Sequence, residues 1–295
     1  MKAFSISSPK SILTKEALRD AVMQLQAVRI ETASLDARIL LEHVLGVSRE
    51  KLLLMLEEPL SDLHVTLYHS LIEERAKHRP VSQLMGKREF WGMEFKVTPD
   101  TLDPRPDSET LIEVVLKRVA DRQAPLSILD LGTGTGCLLL SLLSELPNAR
   151  GVAVDLSPQA LAVAQENALA HGLRARTQCV QSRWAEQVTG LFDIIISNPP
   201  YIPTADIAAL APEVAQYEPL LALDGGEDGL VCYREIMKAV PDLLAPHGIA
   251  VFEIGFGQQT ALETIATEHG LTLEMAKQDM QSIVRCMLFS RNLQE

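Results

Sequence analysis

The sequence has 295 residues, more than a single hydrophobic core usually serves, and it therefore predicts two domains. Hydrophobic residues make up 47% of the chain and charged residues 22%, which excludes disordered, collagen-like and coiled-coil proteins. The net charge is −12, and the excess of acidic residues lies after residue 90, where the chain has 14 basic and 27 acidic residues. This acidic body argues against direct nucleic-acid binding without excluding a protein partner.

Residues 1–80 are predicted to form a small bundle of short helices, because apolar residues recur there at intervals of three and four positions. Gly46 follows one such run and is expected to end its helix, and Ser34 and Ser61 stand where N-caps are expected. Arg79-Pro80 is expected to close the last helix of the bundle.

The pattern changes to aromatic and alternating residues from Phe90 to Val97, followed by the turn signal Thr98-Pro99-Asp100. We interpret the segment up to Pro106 as a β-hairpin that joins the two domains.

From Ser127 onward, short β-rich runs alternate with helical stretches such as Pro158–His171 and Leu230–Leu244. The predicted strands are Ile128–Leu131, Gly151–Asp155, Phe192–Ser197, Ile249–Ile254 and Val284–Phe289. Such alternation is typical of an α/β fold with a mostly parallel sheet that is covered on both faces.

Cysteine and histidine spacing points to neither disulfides nor a metal, so we expect no metal site. No apolar run reaches the length of a membrane span, and the first residues lack a signal-peptide pattern, so a cytoplasmic protein is expected. The residues interpreted as small core cysteines and as surface histidines are Cys137, Cys179, Cys232, Cys286, His43, His64, His69 and His78.

A glycine-rich loop follows the first predicted strand of the second domain. Its sequence is Asp130-Leu131-Gly132-Thr133-Gly134-Thr135-Gly136. Alternate glycines let the backbone turn tightly and approach a ligand at the sheet edge, which favours a nucleoside-type cofactor over a simple turn. The dinucleotide fingerprint would require glycine at position 137, where the chain has cysteine, so a nicotinamide or flavin cofactor is disfavoured.

Asp155 ends the next predicted strand and can accept hydrogen bonds from both hydroxyls of a ribose. An N-cap role is the alternative. Ser157-Pro158 already provides a cap and a first-turn proline for the following helix, so we expect Asp155 to be available for a ligand.

Two prolines fix the backbone just after the third predicted strand, in the segment Ser197-Asn198-Pro199-Pro200-Tyr201. The Asn198 side-chain carbonyl and the Pro199 backbone carbonyl offer two acceptors for the two hydrogens of a planar amino group. The ring of Tyr201 can stack on a planar group or face a cation.

The glycine loop, the Asp155 segment and the Asn-Pro-Pro-Tyr tetrad together resemble class I S-adenosyl-L-methionine-dependent methyltransferases that modify conjugated amino groups. The tetrad is shared by DNA adenine methyltransferases and protein glutamine methyltransferases. Two stretches, Gly86–Gly92 and Pro104–Glu109, are similar to bacterial peptide chain release factor glutamine methyltransferases. The family resemblance implies a Rossmann-like domain with a mostly parallel seven-stranded sheet.

The same resemblance implies three parts: a substrate-recognition domain at residues 1–85, a hairpin linker at 86–106 and a methyltransferase domain at 107–295. It further implies that class I release factors are the protein substrate. The methylated residue would be the glutamine of their Gly-Gly-Gln motif. We expect a monomer, and the acidic charge leads us to expect no direct nucleic-acid contact.

Site residues also follow from the resemblance. The cofactor contacts it implies are Gly132, Thr133, Gly134, Thr135, Gly136, Asp155, Trp184 and Asn198. The residues it implies for holding the target glutamine are Asn198, Pro199, Pro200 and Tyr201, of which Asn198, Pro199 and Tyr201 are taken as catalytic. Arg183 stands where the family commonly has an acid, and Asp103 replaces a usual apolar residue.

Three alternatives remain open from the sequence. A glutamine methyltransferase of a ribosomal large-subunit protein would use the same chemistry. A nucleic-acid adenine methyltransferase is disfavoured by the acidic charge. A non-enzymatic nucleoside-binding module would not need the tetrad at residues 198–201.

Overall fold

The computed structural model describes residues 12–279 and 281–291. By its contacts the chain divides into two compact units, Met1–Met85 and Gly86–Glu295. None of the helices in these described ranges is long and apolar enough to cross a membrane.

The first unit is helical, as predicted. Its helices are α1 Thr14–Ala27, α2 Ala33–Leu45, α3 Arg49–Leu54, α4 Asp62–Ala76 and α5 Val81–Met85. Their apolar stripes meet in one core whose largest fully buried side chains include Leu25, Leu40, Tyr68 and Ile72. The three-and-four spacing therefore marks the face that each helix buries.

The predicted helix ends are partly correct. Gly46 ends α2 with a φ of 62°, and the Ser61 hydroxyl oxygen accepts the His64 N–H at 3.2 Å at the start of α4. Ser34 is not a cap, because α2 begins one residue earlier and follows Thr32. The segment at Arg79-Pro80 does not close the bundle, since α5 begins directly after the proline, where the missing N–H costs nothing.

A buried ion pair joins α2 to α4 within this core. The Arg75 Nε donates to Asp36 Oδ2 at 2.8 Å, and both side chains are less than 8% exposed. The same carboxylate oxygen accepts the Thr32 hydroxyl at 2.8 Å. Buried charges need such satisfied partners, so this pair constrains how the two helices pack.

We expect Asp36→Ala to lower the free energy of unfolding by about 3–5 kcal/mol, because the buried Arg75 guanidinium loses its carboxylate partner. Glu57→Ala is the matched control, since its ion pair with Lys15 is exposed and should contribute less than about 1 kcal/mol. Urea denaturation of the full chain, followed by far-ultraviolet circular dichroism, compares the two variants. Equal losses in both would contradict the role given to the buried pair.

The second unit begins with the predicted hairpin, formed by β1 Lys87–Phe90 and the antiparallel β2 Met93–Lys96. Its turn lies at Trp91-Gly92, where both residues have positive φ. The turn signal at residues 98–100 forms a separate turn, in which the Thr101 N–H donates to the Thr98 carbonyl at 3.2 Å. The Lys96 N–H donates to Asn167 Oδ1 at 2.8 Å, and the Asn167 amide nitrogen donates back to the Lys96 carbonyl at 3.1 Å. The hairpin is thereby fastened to the second unit.

A seven-stranded sheet forms the centre of this unit. Its strands are β3 Ser127–Leu131, β4 Arg150–Asp155, β5 Thr177–Gln181, β6 Phe192–Ser197, β7 Leu244–Glu253, β8 Leu271–Gln278 and β9 Val284–Arg291. The strand order is β5-β4-β3-β6-β7-β9-β8, and only the contacts of β9 with β7 and β8 are antiparallel. The predicted α/β fold with a mostly parallel sheet is therefore confirmed.

Helices cover both faces of this sheet. They are α6 Glu109–Arg118, α7 Cys137–Glu145, α8 Pro158–Ala170, α9 Pro212–Ala215, α10 Val231–Met237, α11 Val240–Leu243 and α12 Gln259–Glu268. The apolar side chains of α6 and α7 share one buried cluster with β3, whereas those of α10 and α12 belong to a second cluster. The helix predicted over residues 230–244 is two helices, α10 and α11.

The strands that the sequence did not predict, β5 and β8, are the two edges of the sheet. Both contain polar residues, and β8 alternates between buried or half-buried and exposed positions along its length. The strands with neighbours on both sides contain runs of consecutive buried apolar residues, such as Ile194–Ile196 of β6, and stand out in the sequence, but an edge strand does not. Of the cysteines expected in the core, only Cys286 is buried.

Candidate active site

Four strand ends meet in one row at the carboxyl edge of the sheet. In the parallel register Leu131 of β3 faces Val154 of β4 and Ser197 of β6, and Ser197 faces Phe252 of β7. The Ser197 hydroxyl donates to the Leu131 carbonyl at 2.6 Å and fastens two of these ends together. Residues that follow the row are consequently brought side by side, although they are far apart in the sequence.

The glycine loop leaves β3 at this row. Gly132 and Gly134 have φ values of 77° and 55°, a conformation that side chains with a Cβ rarely adopt. The Gly132 and Thr133 N–H groups both donate to the Val154 carbonyl, at 2.9 and 2.8 Å. The loop therefore bends back over the end of β4 and opens a cradle lined by backbone.

Asp155 lies directly beside this loop. Its carboxylate accepts the Gly134 N–H at 2.9 Å and the Ser157 N–H at 2.9 Å, and burial raises its pKa. The predicted cap is present, since the Ser157 hydroxyl oxygen accepts the Ala160 N–H at 3.1 Å at the start of α8. The carboxylate is thus held at a fixed place by two amides and not consumed as a helix cap.

Trp184 faces the glycine loop from the other side. A Cβ added at Gly132 would lie 3.5 Å from the indole ring, and the indole N–H donates to Glu235 Oε2 at 2.9 Å. Arg183 pairs with the same carboxylate at 2.7 Å, which lowers the Glu235 pKa. The residue that departs from the family pattern is therefore bound to an acid supplied by α10.

These groups surround a cavity of about 470 Å³. The predicted cofactor residues that line it are Gly132, Thr133, Gly134, Thr135, Asp155, Trp184 and Asn198, and Pro200 of the predicted substrate set lines it too. Gly136 does not line this cavity; a Cβ there would lie 3.3 Å from Ala164 of α8, so the residue serves helix packing.

A second, smaller cavity of about 80 Å³ lies on the other side of the Asn-Pro-Pro-Tyr segment. Pro199 and Tyr201 line this cavity, whereas Asn198 lines both cavities. The structure therefore gathers all the predicted substrate residues at the boundary between two spaces. A side chain at this boundary, such as Asn198, can contact one molecule in the larger cavity and another in the smaller cavity.

Tyr201 is packed from behind by backbone that lies after the tetrad. Cβ atoms added at Gly225 and Gly229 would lie 2.8 Å from Tyr201 Cα and 2.4 Å from its carbonyl oxygen. The Gln258 amide donates to the carbonyls of both Tyr201 and Gly229, at 2.9 and 3.2 Å. The tetrad is therefore immobilised by main-chain contacts that only glycine permits.

Sequence reasoning missed several residues of this site. Ser108 and Glu253 are hydrogen-bonded to the tetrad, and Arg105, which lines both cavities, pairs with the buried Glu218. Glu235, also missed, holds Trp184. Ser108 and Arg105 lie within the stretch Pro104–Glu109 that carried the family resemblance, which was the available signal.

Asp130, the first residue of the glycine-loop motif, is fully buried in the core. Its carboxylate accepts the Thr133 hydroxyl at 2.6 Å, which supports the start of the loop. Burial raises the pKa of this carboxyl to about 7, because the charged form loses its hydration there. The loop is thus supported by an acid that weakens the fold when it is charged.

The sign of that effect can be tested with Asp130→Asn. The ordinary pKa is 3.8, so the unfolded chain loses this proton at lower pH than the folded chain, and stability falls as pH rises toward 7. Asparagine does not titrate, so between pH 5 and pH 8 the variant should gain about 3 kcal/mol of stability relative to the wild type. Urea titrations at both pH values measure the difference, with the exposed Asp121→Asn as control. The prediction would be contradicted if the stability of Asp130→Asn relative to the wild type were the same at pH 5 and pH 8.

Both units match known protein families. Residues 16–86 match the family model described as PrmC N-terminal domain, and residues 103–227 match the model described as Methyltransferase small domain. A release factor glutamine methyltransferase of Rhodospirillum rubrum is 44% identical, covering 91% of this chain and 82% of the relative. One from Cereibacter sphaeroides is 46% identical, covering 87% of this chain and 90% of the relative.

Among solved structures, the hMettl16 catalytic domain in complex with an RNA hairpin superposes with a TM-score of 0.57. It is 16% identical and covers 75% of this chain and 81% of that chain. At this identity the likeness shows the fold alone.

Proposed function

Since this chain belongs to the release factor glutamine methyltransferase family, we propose that it methylates a glutamine of class I peptide chain release factors. The methyl group goes to the side-chain amide nitrogen of the glutamine in their Gly-Gly-Gln motif. The observation that carries the proposal is Asn198, which lines both the larger and the smaller cavity and so stands between cofactor and target.

The cofactor is S-adenosyl-L-methionine, and the residues of the larger cavity fit it. The cavity volume of about 470 Å³ is in the range usual for cofactor sites. We assign the Asp155 carboxylate to the ribose hydroxyls, the backbone from Gly132 to Thr135 to the methionine and ribose side, and Trp184 to the adenine. When bound, the cofactor supplies an electrophilic methyl group on a sulfonium.

The smaller cavity takes the glutamine side chain in this proposal. Asn198 donates its Nδ2 hydrogen to Ser108 Oγ at 3.2 Å, so the oxygen of its side chain is the group that it can offer to a substrate. That oxygen and the Pro199 carbonyl would accept the two hydrogens of the target amide. Tyr201 would confine the target amide within the smaller cavity, and Pro200 would border that amide from the larger cavity.

Two physical effects accelerate the reaction in this arrangement. An amide nitrogen is a poor nucleophile, and holding it in line with the methyl group makes the displacement effectively unimolecular. Its hydrogen bonds to Asn198 and Pro199 strengthen as positive charge grows on the nitrogen, so they stabilise the transition state more than the ground state. No strong base is required, because the methylated nitrogen releases its proton readily.

The other candidates have less support. The curated relatives described above are named for release factors, which favours this substrate over a ribosomal protein. The net charge of −12 disfavours a nucleic-acid substrate.

We further propose that residues 1–85 recognise the body of the release factor, residues 86–106 serve as the linker and residues 107–295 carry the methyltransferase activity. Within this proposal the enzyme acts in the cytoplasm as a monomer, without direct contact to nucleic acid. Light scattering of the purified chain, alone and with its substrate, tests the stoichiometry.

The decisive experiment is mass spectrometry of a class I release factor after incubation with the enzyme and S-adenosyl-L-methionine. The peptide that contains the Gly-Gly-Gln motif should gain one methylene on the glutamine. A release factor with asparagine in place of that glutamine is the matched control and should stay unmodified. If the peptide remains unmodified while calorimetry shows cofactor binding, the substrate assignment is wrong.

We expect Asn198→Ala to lower kcat by about 100-fold or more, because an acceptor that acts mainly in the transition state is lost. The Kd for S-adenosyl-L-methionine should change by less than about twofold, since other residues make most of the cofactor contacts. Initial rates with labelled cofactor and isothermal titration calorimetry measure the two quantities. Normal turnover in this variant would remove Asn198 from the mechanism.

Asp155→Asn, in contrast to Asn198→Ala, should weaken cofactor binding. Replacing the carboxylate weakens two charge-assisted hydrogen bonds to the ribose, so the cofactor Kd should rise about tenfold or more. Glu263→Ala, on an exposed position of α12, is the control and should leave the Kd unchanged. Isothermal titration calorimetry without release factor makes the test independent of the protein substrate. Equal affinities would exclude the ribose role of Asp155.

A further inference from the structure

A buried acid lies behind the Asn-Pro-Pro-Tyr segment. Glu253 is the last residue of β7 and is 1% exposed. Its Oε1 accepts the Tyr201 hydroxyl at 3.3 Å, and its Oε2 accepts the Ser108 hydroxyl at 2.5 Å. The Tyr233 hydroxyl donates to its backbone carbonyl at 2.6 Å, which anchors the strand end at this point.

The hydrogen bonds around this acid have a fixed direction. A serine hydroxyl has a single hydrogen, and Ser108 gives it to Glu253, so the Ser108 oxygen is left to accept from Asn198 Nδ2 at 3.2 Å. A chain of donors therefore runs from Asn198 through Ser108 and ends on the carboxylate. It keeps the nitrogen of the Asn198 amide toward Ser108 and its oxygen on the opposite side.

The orientation of that amide matters because the proposed target is itself an amide NH₂. When the Asn198 side-chain oxygen faces the target, it can accept a hydrogen bond from the target NH₂. With the amide turned over, two NH₂ groups would face each other and the target could not be held. An asparagine side chain has no intrinsic preference between the two orientations, so the preference must come from its neighbours.

We propose that Glu253 is a positioning residue of the methyl transfer: its carboxylate accepts from Ser108 and Tyr201 at once and thereby fixes the Asn198 amide and the Tyr201 hydroxyl. The substrate side of this inference rests on the proposed function above. A buried carboxylate is costly, and Arg285, the cation that faces it, pairs at 2.9 Å with Asp279. Burying the Glu253 carboxylate therefore costs stability, and its hydrogen bonds to Ser108 and Tyr201 give a reason for an acid at this position.

A carboxylate is required because it is the only group of this shape that accepts on both oxygens. Glutamine would place an NH₂ against either Ser108 or Tyr201. If the NH₂ faces Ser108, the serine hydrogen is released and can be donated to the Asn198 oxygen, which turns that amide over. If the NH₂ faces Tyr201, the Tyr201 hydroxyl loses its acceptor and is no longer fixed. Glu253→Gln therefore preserves volume and removes the acceptor from one of the two groups that the carboxylate holds.

The kinetic test compares Glu253→Gln, Ser108→Ala and the double variant with the wild type. We expect each single variant to lower kcat about tenfold or more, and the double variant to fall little further, because both changes break one chain. In Glu253→Gln the cofactor Kd should not increase and the Tm should not decrease. Wild-type turnover in Glu253→Gln, multiplicative effects in the double variant, or a parallel loss of stability would overturn the proposal.

The pH profile is a second readout that a merely structural role would not change. Burial raises the pKa of Glu253 to about 7, and a protonated acid would donate to one of its two partners instead of accepting from both. The charged and titratable groups that face it are Asp107, Cys137, Tyr201, Tyr233, Arg285 and Cys286. Wild-type kcat should therefore fall as the pH drops below about 7, and this dependence should be absent in Glu253→Gln.

The orientation itself can be observed without any substrate. In ¹⁵N-labelled protein, the side-chain NH₂ signals of Asn198, assigned by their loss in Asn198→Ala, should shift in Glu253→Gln at pH 8. Unchanged signals would overturn the inference. If the wild-type enzyme does not methylate the release factor, the proposed function fails and these spectra alone decide whether Glu253 orients the amide.

Discussion

The parallel register of four adjacent strands is the constraint on which the rest of this structure depends. Four residues pair in one row: Leu131, Val154, Ser197 and Phe252. The residue that follows each of them either belongs to the site or begins a loop that contains site residues. A slip of one residue in any pair would turn its side chains to the opposite face of the sheet. The hydrophobic burial that fixes the register therefore also fixes the spacing of the residues that follow these strand ends.

Local turn chemistry explains why much of the site could be predicted from the sequence. The glycine loop, the Ser157 cap and the double proline each act over a few neighbouring residues, and the structure has them where the pattern placed them. The α/β fold was predictable for a similar reason, since strands with neighbours on both sides contain runs of consecutive apolar residues, such as Ile194–Ile196 of β6. The edge strands β5 and β8 were missed because their polar residues resemble those of loops.

The supporting acids could not be predicted, because their roles depend on contacts over long sequence separations. Glu253 meets Ser108 from 145 positions away and Tyr201 from 52, and it stands at the end of an apolar run where an acid looks like a strand terminator. Glu235 lies 51 positions from Trp184. Ser34 shows a different limit, since it has the residue type of an N-cap but lies inside α2, which begins at Ala33.

The packing of Gly225 and Gly229 against the Tyr201 backbone has a consequence for enzyme engineering. Attempts to broaden the range of accepted side chains would ordinarily diversify the tetrad alone. Here the main chain of Tyr201 and that of residues 225–229 are in direct contact, so a side chain added at Gly225 or Gly229 forces a displacement of the tetrad. Libraries that vary both stretches together, with Gln258 retained as the bridge between them, explore alternatives that single-segment libraries cannot reach.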